Sequence, residues 1–307
     1  MRKACLEQVY QLAARDERVV FMGSDLGAGT LAHFQKEMPE RFFMEGIAEA
    51  HTVGMACGMA HEGKIVYVNT IQSFLTRRCY EQLLLDACMH NLNVRFIGNG
   101  GGLVYAPLGP THWATEDISI LRVIPNLTVL CPADADEMNR LMPQTLKHQG
   151  PIFIRLAKGY DPIVTDEKTF EIGKAYPYRE GRDLLLIGCG VMLGIMKQAG
   201  ELLTKAGIEA SILHLPTVKP LDTEAIISRA RQTRAVITVE ENTILGGLGS
   251  AVAEILAEAA LPNPLRMKRI GLADSFSENY GSQLEHFAHN GLTAENIVKE
   301  AHRLIDN

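Results

Sequence analysis

The sequence lacks the features that mark secreted, disulfide-rich or membrane-spanning chains. Its six cysteines include no Cys-x-x-Cys pair, and most of them lie in apolar segments. We therefore expect reduced thiols in the core of a cytoplasmic protein, rather than disulfides or metal ligands. No uncharged apolar run approaches the length needed to span a bilayer. The first residues enter a helical pattern that contains acids, which is unlike a signal peptide.

Charge of one sign is also not concentrated anywhere. Charged residues make up 21% of the chain, the net charge is −6, and there is no long run of either sign. Binding to nucleic acid or to an anionic membrane depends on clustered positive charge. The sequence therefore gives no reason to expect nucleic acid or a membrane surface as a partner.

What the sequence does contain is apolar material in a regular order. Hydrophobic residues make up 47% of 307 residues, enough for a sizeable core and two domains. Short runs rich in Val and Ile alternate with longer helical patterns, which indicates parallel sheets with helices on both faces. Strands are predicted at 19–22, 65–69, 94–98, 127–131, 152–156, 184–188, 210–213, 235–239 and 267–270. Helices are predicted near 3–15, 47–61, 74–91, 134–148, 192–206, 222–232, 248–260 and 293–305.

One stretch interrupts this alternation. Residues 159–182 contain Pro162, Pro177 and several charges, and they show no strong periodicity. We interpret this stretch as a linker between two α/β domains, each with a mostly parallel sheet flanked by helices. The predicted boundaries are 1–160 for the first domain, 161–182 for the linker and 183–307 for a smaller second domain.

Polar residues that could carry chemistry occur first in residues 41–51, Arg-Phe-Phe-Met-Glu-Gly-Ile-Ala-Glu-Ala-His. Gly46 opens a predicted helix whose first turn contains Glu49. An acid at this position commonly does no more than complement the helix dipole. Taken alone, Glu49 is therefore open to a structural or a functional interpretation.

Two further segments follow predicted strands. Residues 69–82 begin with polar residues at a strand end, where open α/β sheets place ligands, and Phe74 then leads a helix. Phe74 is either a core residue or a stacking surface for an aromatic ligand. Residues 98–113, here called the glycine-rich loop, end in His112 and the only tryptophan of the chain. His112 is either structural or functional, because loops at strand ends often carry function.

In this order and spacing, the three segments resemble the pyrimidine-binding domain of the transketolase family. The resemblance continues through Gly-Pro-Thr-His at 109–112, Arg-Val-Ile-Pro-Asn-Leu-Thr-Val-Leu-Cys-Pro-Ala-Asp at 122–134 and Gly-Pro-Ile-Phe-Ile-Arg-Leu at 150–156. After the linker, Glu-Glu-Asn-Thr-Ile-Leu-Gly-Gly-Leu-Gly-Ser at 240–250 is similar to the family's carboxyl-terminal domain. The resemblance covers nearly the whole chain. It implies a thiamine-diphosphate-dependent catalyst that makes and breaks carbon–carbon bonds.

The resemblance also implies roles for single residues. Glu49 matches the glutamate that hydrogen-bonds N1′ of the cofactor's aminopyrimidine and makes the cofactor its own base. Phe74 would stack on the pyrimidine ring, Ile71 would form an aliphatic wall, and Arg77 would line the same pocket. His112 matches a histidine that contacts the substrate and stabilises developing negative charge.

The loop departs from the family's sugar-phosphate pattern. Gly100 stands where relatives usually carry a His, and Leu108 stands where they carry an Asp. Both lost groups normally contact hydroxyls of the ketose donor. We therefore expect a different ketose, a deoxygenated or differently substituted sugar, or a pyruvate-like donor. Lys158 matches an Arg that binds the acceptor's phosphate, and Arg155 is a second candidate cation.

The family's diphosphate–Mg²⁺ motif, Gly-Asp-Gly with a downstream Asn, is missing. No metal ligand is therefore predicted in this chain, and we expect a separate diphosphate-binding subunit to hold thiamine diphosphate and Mg²⁺. The active site would form between the subunits of an α₂β₂ assembly. Alone, this chain should be inactive.

Two other interpretations remain open. The β-subunit of a 2-oxo acid dehydrogenase, or an enzyme like deoxyxylulose-phosphate synthase, would share the Gly-Ile-Ala-Glu segment at 46–49. A non-catalytic regulatory subunit would explain the two lost polar groups of the loop. It would not explain why Glu49, Phe74 and His112 are all present, and fold alone does not establish function.

Overall fold

The computed structural model describes residues 1–24, 29–157, 161–261, 265–276 and 280–306. Within these ranges the chain forms two mostly parallel sheets flanked by helices, which confirms the predicted α/β class. The strands are β1 (Val19–Gly23), β2 (Phe42–Met44), β3 (Ile65–Ile71), β4 (Val94–Asn99), β5 (Thr128–Leu130), β6 (Ile152–Leu156), β7 (Tyr176–Arg179), β8 (Leu184–Gly188), β9 (Ala210–His214), β10 (Thr217–Lys219), β11 (Ala235–Thr243) and β12 (Arg266–Leu272).

The helices alternate with these strands. They are α1 (Arg2–Arg15), α2 (Ala32–Glu37), α3 (Glu49–His61), α4 (Gln72–Arg78), α5 (Asp117–Leu121), α6 (Ala135–Lys147), α7 (Met192–Lys205), α8 (Thr223–Ala230), α9 (Leu248–Glu258), α10 (Gln283–His289) and α11 (Ala294–Ile305). A π-helix at Gln82–Met89 follows α4, and short 3₁₀ turns lie at Pro39–Arg41 and Ala106–Leu108. All the predicted helices are present, although the one predicted at 74–91 is divided between α4 and the π-helix.

The first sheet has seven strands in the order β10-β5-β6-β4-β3-β1-β2. All neighbours in it are parallel except the edge strand β10, which runs antiparallel to β5. Every residue of β1, β4 and β6 is buried, as expected for parallel strands covered on both faces. The second sheet has five strands in the order β12-β11-β8-β9-β7, with only β7 antiparallel.

Each of the nine predicted strands is present, and the three that were missed are short edge strands. They are β2, β7 and β10, of three, four and three residues. Such strands carry too little hydrophobic pattern to be recognised from sequence. Strand β7 lies inside the predicted linker 161–182, yet it pairs with β9 of the second sheet. We therefore propose that the second domain starts by Tyr176 rather than at residue 183.

Several helices begin where the local sequence supplies a cap. The Asp134 carboxylate accepts bonds from the Asp136 and Glu137 N–H groups at the start of α6. Helix α10 begins with a capping box, in which Ser282 and Glu285 bond each other's backbone N–H. Helix α3 has no side-chain cap, and its first residue is Glu49. The N-terminus of α3 is therefore open to another partner.

Parallel neighbours β1, β3 and β4 end at one edge of the first sheet, and polar side chains meet there. The Asn99 amide donates to Asn69 Oδ1 at 2.7 Å, and the hydroxyl oxygens of Ser24 and Thr70 lie 2.9 Å apart. Helix α4 and the glycine-rich loop both start from this edge. The edge is the place where an open α/β sheet presents a ligand site.

All six cysteines are buried as free thiols, which confirms their prediction as reduced core residues. Among the described residues, no helix combines the length and the apolar character needed to cross a membrane.

Candidate functional site

The site begins with a buried carboxylate at the open N-terminus of α3. The Glu49 side chain is only 2% exposed, and its Oε2 lies 2.6 Å from Arg78 Nη1. A negative charge is favoured at a helix N-terminus, where backbone N–H groups are unpaired. The Arg78 side chain, in contrast, is 49% exposed. Glu49 is thus fixed in the protein while its ionic partner stands at the surface.

An aromatic face lies beside this ion pair. The Arg78 guanidinium carbon is 4.6 Å from the centroid of the half-buried Phe74 ring. Arg78 therefore contacts Phe74 and bonds Glu49 at the same time, as a planar cation over an aromatic ring. Phe74 and Arg78 are four residues apart in α4, so they share one side of the helix.

The glycine-rich loop brings His112 to the same place. The His112 and Phe74 ring centroids are 5.0 Å apart with an interplanar angle of 62°. His112 Nδ1 lies 2.9 Å from Thr111 Oγ1, and the Ser73 hydroxyl donates to the Thr111 carbonyl at 3.3 Å. The structure thus places three predicted site residues, Glu49, Phe74 and His112, in one row with Arg78 among them.

Arg77 contacts the glycine-rich loop, and its predicted place in the cofactor pocket stays a prediction. Its guanidinium forms an ion pair with Glu116 and donates to the carbonyls of Pro110 at 3.1 Å and Trp113 at 2.7 Å. Burial raises the pKa of Glu116, but the bond from Arg77 outweighs it and the pKa lies below its usual value. Arg77 therefore holds the end of the glycine-rich loop, and the neighbouring Arg78 takes the position over Phe74. A spacing of four rather than three from Phe74 was the signal that sequence reasoning missed.

Ile71 is the last residue of β3 and stands half-buried directly before α4. This position is at the same sheet edge as Phe74. The role of Ile71 as an aliphatic wall of the cofactor pocket stays a prediction.

The structure shows what stands at the two loop positions where the polar groups are lost, Gly100 and Leu108. Gly100 is buried with φ +81°, and a Cβ built on it would overlap the ring of Tyr105. A His cannot stand at Gly100 without displacing Tyr105, which sequence reasoning had not considered. The Tyr105 ring also faces His112, with centroids 6.4 Å apart. Leu108 is 55% exposed, so this part of the loop presents an apolar side chain to solvent.

The sequence predicts two cations for a substrate phosphate, Arg155 and Lys158. Arg155 is buried, and its guanidinium bonds Asp117 Oδ2 at 2.7 Å and the Glu241 carbonyl at 2.7 Å. Burial works to lower the pKa of Arg155, but Asp117 and other acidic neighbours hold it well above its usual value. These interior partners occupy the guanidinium and disfavour the prediction that Arg155 binds a substrate phosphate. Lys158 lies outside the described residues.

The row of Glu49, Arg78, Phe74 and His112 can hold one kind of group. A ligand there must be flat enough to cover Phe74 and must donate a hydrogen bond to Glu49. Arg78 meets both conditions, which makes its guanidinium a stand-in for a planar nitrogen heterocycle. The pyrimidine ring of thiamine diphosphate meets the same conditions when N1′ carries a proton, so the residues present fit it. Among the described residues, no group of three or more His, Cys, Asp or Glu is arranged to hold a metal ion.

Comparison with known proteins agrees with this geometry. Family models of the transketolase pyrimidine binding domain and the transketolase C-terminal domain match residues 1–160 and 173–297. The chain is 36% identical to a 6-deoxy-6-sulfo-D-fructose transketolase subunit from Clostridium sp. (strain MSTE9), over 100% of this chain and 94% of that protein. It is 39% identical to a 1-deoxy-D-xylulose-5-phosphate synthase from Desulforudis audaxviator (strain MP104C), covering 95% of this chain and 46% of that longer protein.

A solved structure shares the fold. A split-gene transketolase in the form of an inactive beta4 tetramer superposes with a TM-score of 0.89 and 32% sequence identity. The match covers 99% of this chain and 97% of that chain. These comparisons confirm the resemblance that the motifs indicated. The chain belongs to the transketolase family, and it corresponds over almost its whole length to a separately encoded subunit.

Proposed function

We propose that this chain is one subunit of a thiamine-diphosphate-dependent transketolase. The enzyme would transfer a two-carbon ketol unit from a ketose donor to an aldose acceptor. A separate subunit would bind the diphosphate and Mg²⁺ and complete the site. The observation that carries the proposal is the buried Glu49 carboxylate beside the Phe74 face, both met by one planar N–H donor. A binding-only subunit has no physical need for this pair.

The residues of the row would have distinct tasks. When bound, thiamine diphosphate supplies the nucleophilic carbon for carbon–carbon bond cleavage. Glu49 would hold the hydrogen bond at N1′ of the pyrimidine, in a buried position where a carboxylate interacts strongly. Phe74 would fix the plane of the ring by stacking. His112 would donate a hydrogen bond to a substrate hydroxyl or to developing negative charge.

The loop supports a proposal about the donor. Tyr105 fills the place over Gly100, and Leu108 stands where relatives carry an Asp. A site without these polar groups does not form hydrogen bonds to the donor hydroxyls that such groups would bind. We therefore propose a ketose donor whose corresponding hydroxyls are absent or substituted. A transketolase subunit acting on a 6-deoxy-6-sulfo ketose is among the relatives, which supports this class of donor.

The assembly is proposed on similar grounds. The chain carries a pyrimidine-type site and lacks a Gly-Asp-Gly motif. A relative is a subunit, and a related split-gene protein forms an inactive tetramer of one subunit type. We propose that this chain joins a diphosphate-binding subunit in an α₂β₂ enzyme, that it is inactive alone, and that it works in the cytoplasm.

The test is a donor screen on the mixture of this chain with a diphosphate-binding transketolase subunit from the same organism, with thiamine diphosphate and Mg²⁺. Ordinary ketose phosphates, a 6-deoxy-6-sulfo ketose and pyruvate are offered with an aldose phosphate as acceptor. Ketol transfer from a ketose supports the proposal. No turnover with any ketose, in a mixture that binds the cofactor, would overturn it.

A second candidate is a synthase that decarboxylates pyruvate and joins the two-carbon product to an aldehyde. The 39% identity to a 1-deoxy-D-xylulose-5-phosphate synthase favours it specifically. In the same screen this activity would release CO₂ from pyruvate, while ketoses would be inert. The two candidates therefore give opposite patterns with the same protein.

A further inference from the structure

The second domain reaches into the glycine-rich loop through one carboxylate. Glu241 lies near the end of β11, and its side chain is only 2% exposed. Its Oε1 accepts a bond from the Leu103 backbone N–H at 2.8 Å and another from the Gln283 amide at 2.7 Å. A single oxygen thus joins the loop, a strand of the second sheet and the start of α10.

The glycines of the loop make this approach possible. Gly102 has φ +63°, and a Cβ built on it would overlap the carboxyl group of Glu241. A Cβ on Gly101 would lie 2.8 Å from Nε of Arg155, which is closer than real contacts allow. The glycine run therefore admits side chains of the protein itself.

The bond to Leu103 is placed where it controls the loop. Gly102 and Ala114 form a two-way backbone bridge, with N–H···O distances of 3.1 and 2.9 Å, which closes the loop. His112 lies inside this closed segment, two residues before its end. The indole N–H of Trp113 donates to the Ala106 carbonyl at 3.1 Å and ties the two sides together. An anchor at Leu103 therefore fixes the base from which His112 projects toward Phe74.

We propose that Glu241 is a positioning residue, which holds the Leu103 N–H and thereby sets the place of His112. The second domain would then help to shape the active site. The holding of the loop stands on the structure alone. Its effect on catalysis rests on the proposed function.

A second path from Glu241 leads to the aromatic side of the site. Its backbone carbonyl accepts from Arg155 Nη2, and Arg155 Nε donates to Asp117, which also accepts from the Gln72 amide. Gln72 is the first residue of α4, the helix that carries Phe74. Gln72 Oε1 has no hydrogen-bond partner among the described residues, so this network is only partly satisfied. The path also starts from the backbone carbonyl of Glu241, which a side-chain substitution leaves in place.

Glu240, the preceding residue, provides a matched control. It is also buried, and burial raises the pKa of both carboxyls to about 7. Glu240 accepts from the Leu248 and Gly249 N–H groups at 2.7 and 2.8 Å, at the start of α9. Both of these bonds lie within the second domain, and neither reaches the loop. The two carboxylates are alike in burial and in pKa, and they differ mainly in the backbone N–H groups that they bind.

The first test needs no partner and no activity. Trp113 is the only tryptophan, is 5% exposed and lies in the loop, so its fluorescence reports the loop in the isolated chain. In Glu241→Ala we expect a red-shifted emission and a several-fold rise in acrylamide quenching. Glu240→Ala should lower the melting temperature without these changes. Unchanged quenching in Glu241→Ala, at a temperature where the chain is folded, would overturn the inference.

The second test uses the assembled enzyme. Glu241→Ala should lower kcat at least ten-fold with little change in the cofactor's Kd, and Glu241→Gln, which keeps an acceptor oxygen, should restore most of it. Because Glu241 acts through His112, the double variant Glu241→Ala/His112→Ala should be no slower than His112→Ala alone. Multiplying effects would overturn the inference. If Glu241→Ala does not fold, Glu241→Asp keeps the charge, withdraws it from Leu103 and must show the same pattern.

The two tests separate the inference from the proposed function. If the wild-type mixture shows no ketol transfer, the proposed function fails and the catalytic half of the inference fails with it. The fluorescence comparison still decides whether Glu241 holds the loop.

Discussion

Two buried carboxylates in this protein, Glu49 and Glu241, have partners of different kinds. Glu49 is bonded by one arginine whose side chain is 49% exposed. Glu241 is bonded by a backbone N–H, a neighbouring amide and a buried arginine. A surface arginine can leave at little cost, whereas fixed interior donors cannot. The difference supports the proposals that Glu49 binds a ligand and that Glu241 holds the protein's own structure.

The largest expected effect is on the ligand side of this comparison. Glu49→Ala should lower kcat of the assembled enzyme by about 10²–10⁴-fold, the usual contribution of a group that organises proton transfer. The melting temperature and the binding of the partner subunit should stay close to the wild type, because Arg78 is free to turn to solvent. Steady-state kinetics and a thermal melt check both. Full activity in a folded Glu49→Ala enzyme would remove the cofactor assignment.

The two arginines give the next contrast. Arg155 is 7% exposed and pairs with the fully buried Asp117, so Arg155→Met should lower the free energy of unfolding by about 3–5 kcal/mol. Arg78→Met leaves the buried Glu49 carboxylate beside the unpaired N–H groups at the start of α3, so it should lower the free energy of unfolding by clearly less than Arg155→Met does. Denaturant unfolding of the isolated chain measures both. Equal costs would contradict the distinction between a replaceable and a fixed partner.

Phe74 tests the other surface of the ligand row. Phe74→Ala should weaken binding of thiamine diphosphate to the assembled enzyme by about 1–3 kcal/mol, the loss expected for an aromatic stacking partner. Phe74→Tyr keeps the ring and should bind the cofactor nearly as well. Titration calorimetry compares the three proteins. An unchanged Kd in Phe74→Ala would place Phe74 in the core instead.

The smallest expected effect is a change in pH dependence. Burial raises the pKa of Glu241 to about 7, against the opposing charge of Arg155 and with Asp117 nearby. Because this folded-state pKa lies above the unfolded value, the folded chain binds more protons between about pH 4.5 and 7, and stability falls as pH rises through that window. Glu241→Gln should remove up to about 1.4 kcal/mol per pH unit of this fall. A variant that keeps the wild-type slope would show that Glu241 does not titrate there.

The sequence predicts the framework well and the contacts between its parts poorly. Apolar runs of five residues, such as β1 and β6, are recognised because periodicity is a local property. The edge strand β10 is three residues long and belongs to a sheet built mostly from the other half of the chain. No pattern of adjacent residues predicts such a strand.

The same distinction applies to the site. Glu49, Phe74 and His112 were predicted as site residues because they lie in motifs of adjacent residues that resemble a known family. The contact of Arg78 with both Glu49 and Phe74 was not predicted, because it depends on the side-chain positions and not on the motif. Glu241 was missed because its partner Leu103 is 138 positions away in sequence. The packing of Tyr105 against Gly100 was missed because the sequence around a glycine does not show which side chain packs against it.

The central claim is that this chain supplies one half of a shared thiamine-diphosphate site. The most direct measurement is donor cleavage by the chain alone and by its mixture with the diphosphate-binding subunit, at equal thiamine diphosphate and Mg²⁺. We expect turnover in the mixture only, and none when Glu49→Ala replaces the wild-type chain. Tight cofactor binding and turnover by this chain alone would contradict the account, because the diphosphate site would then lie in this polypeptide.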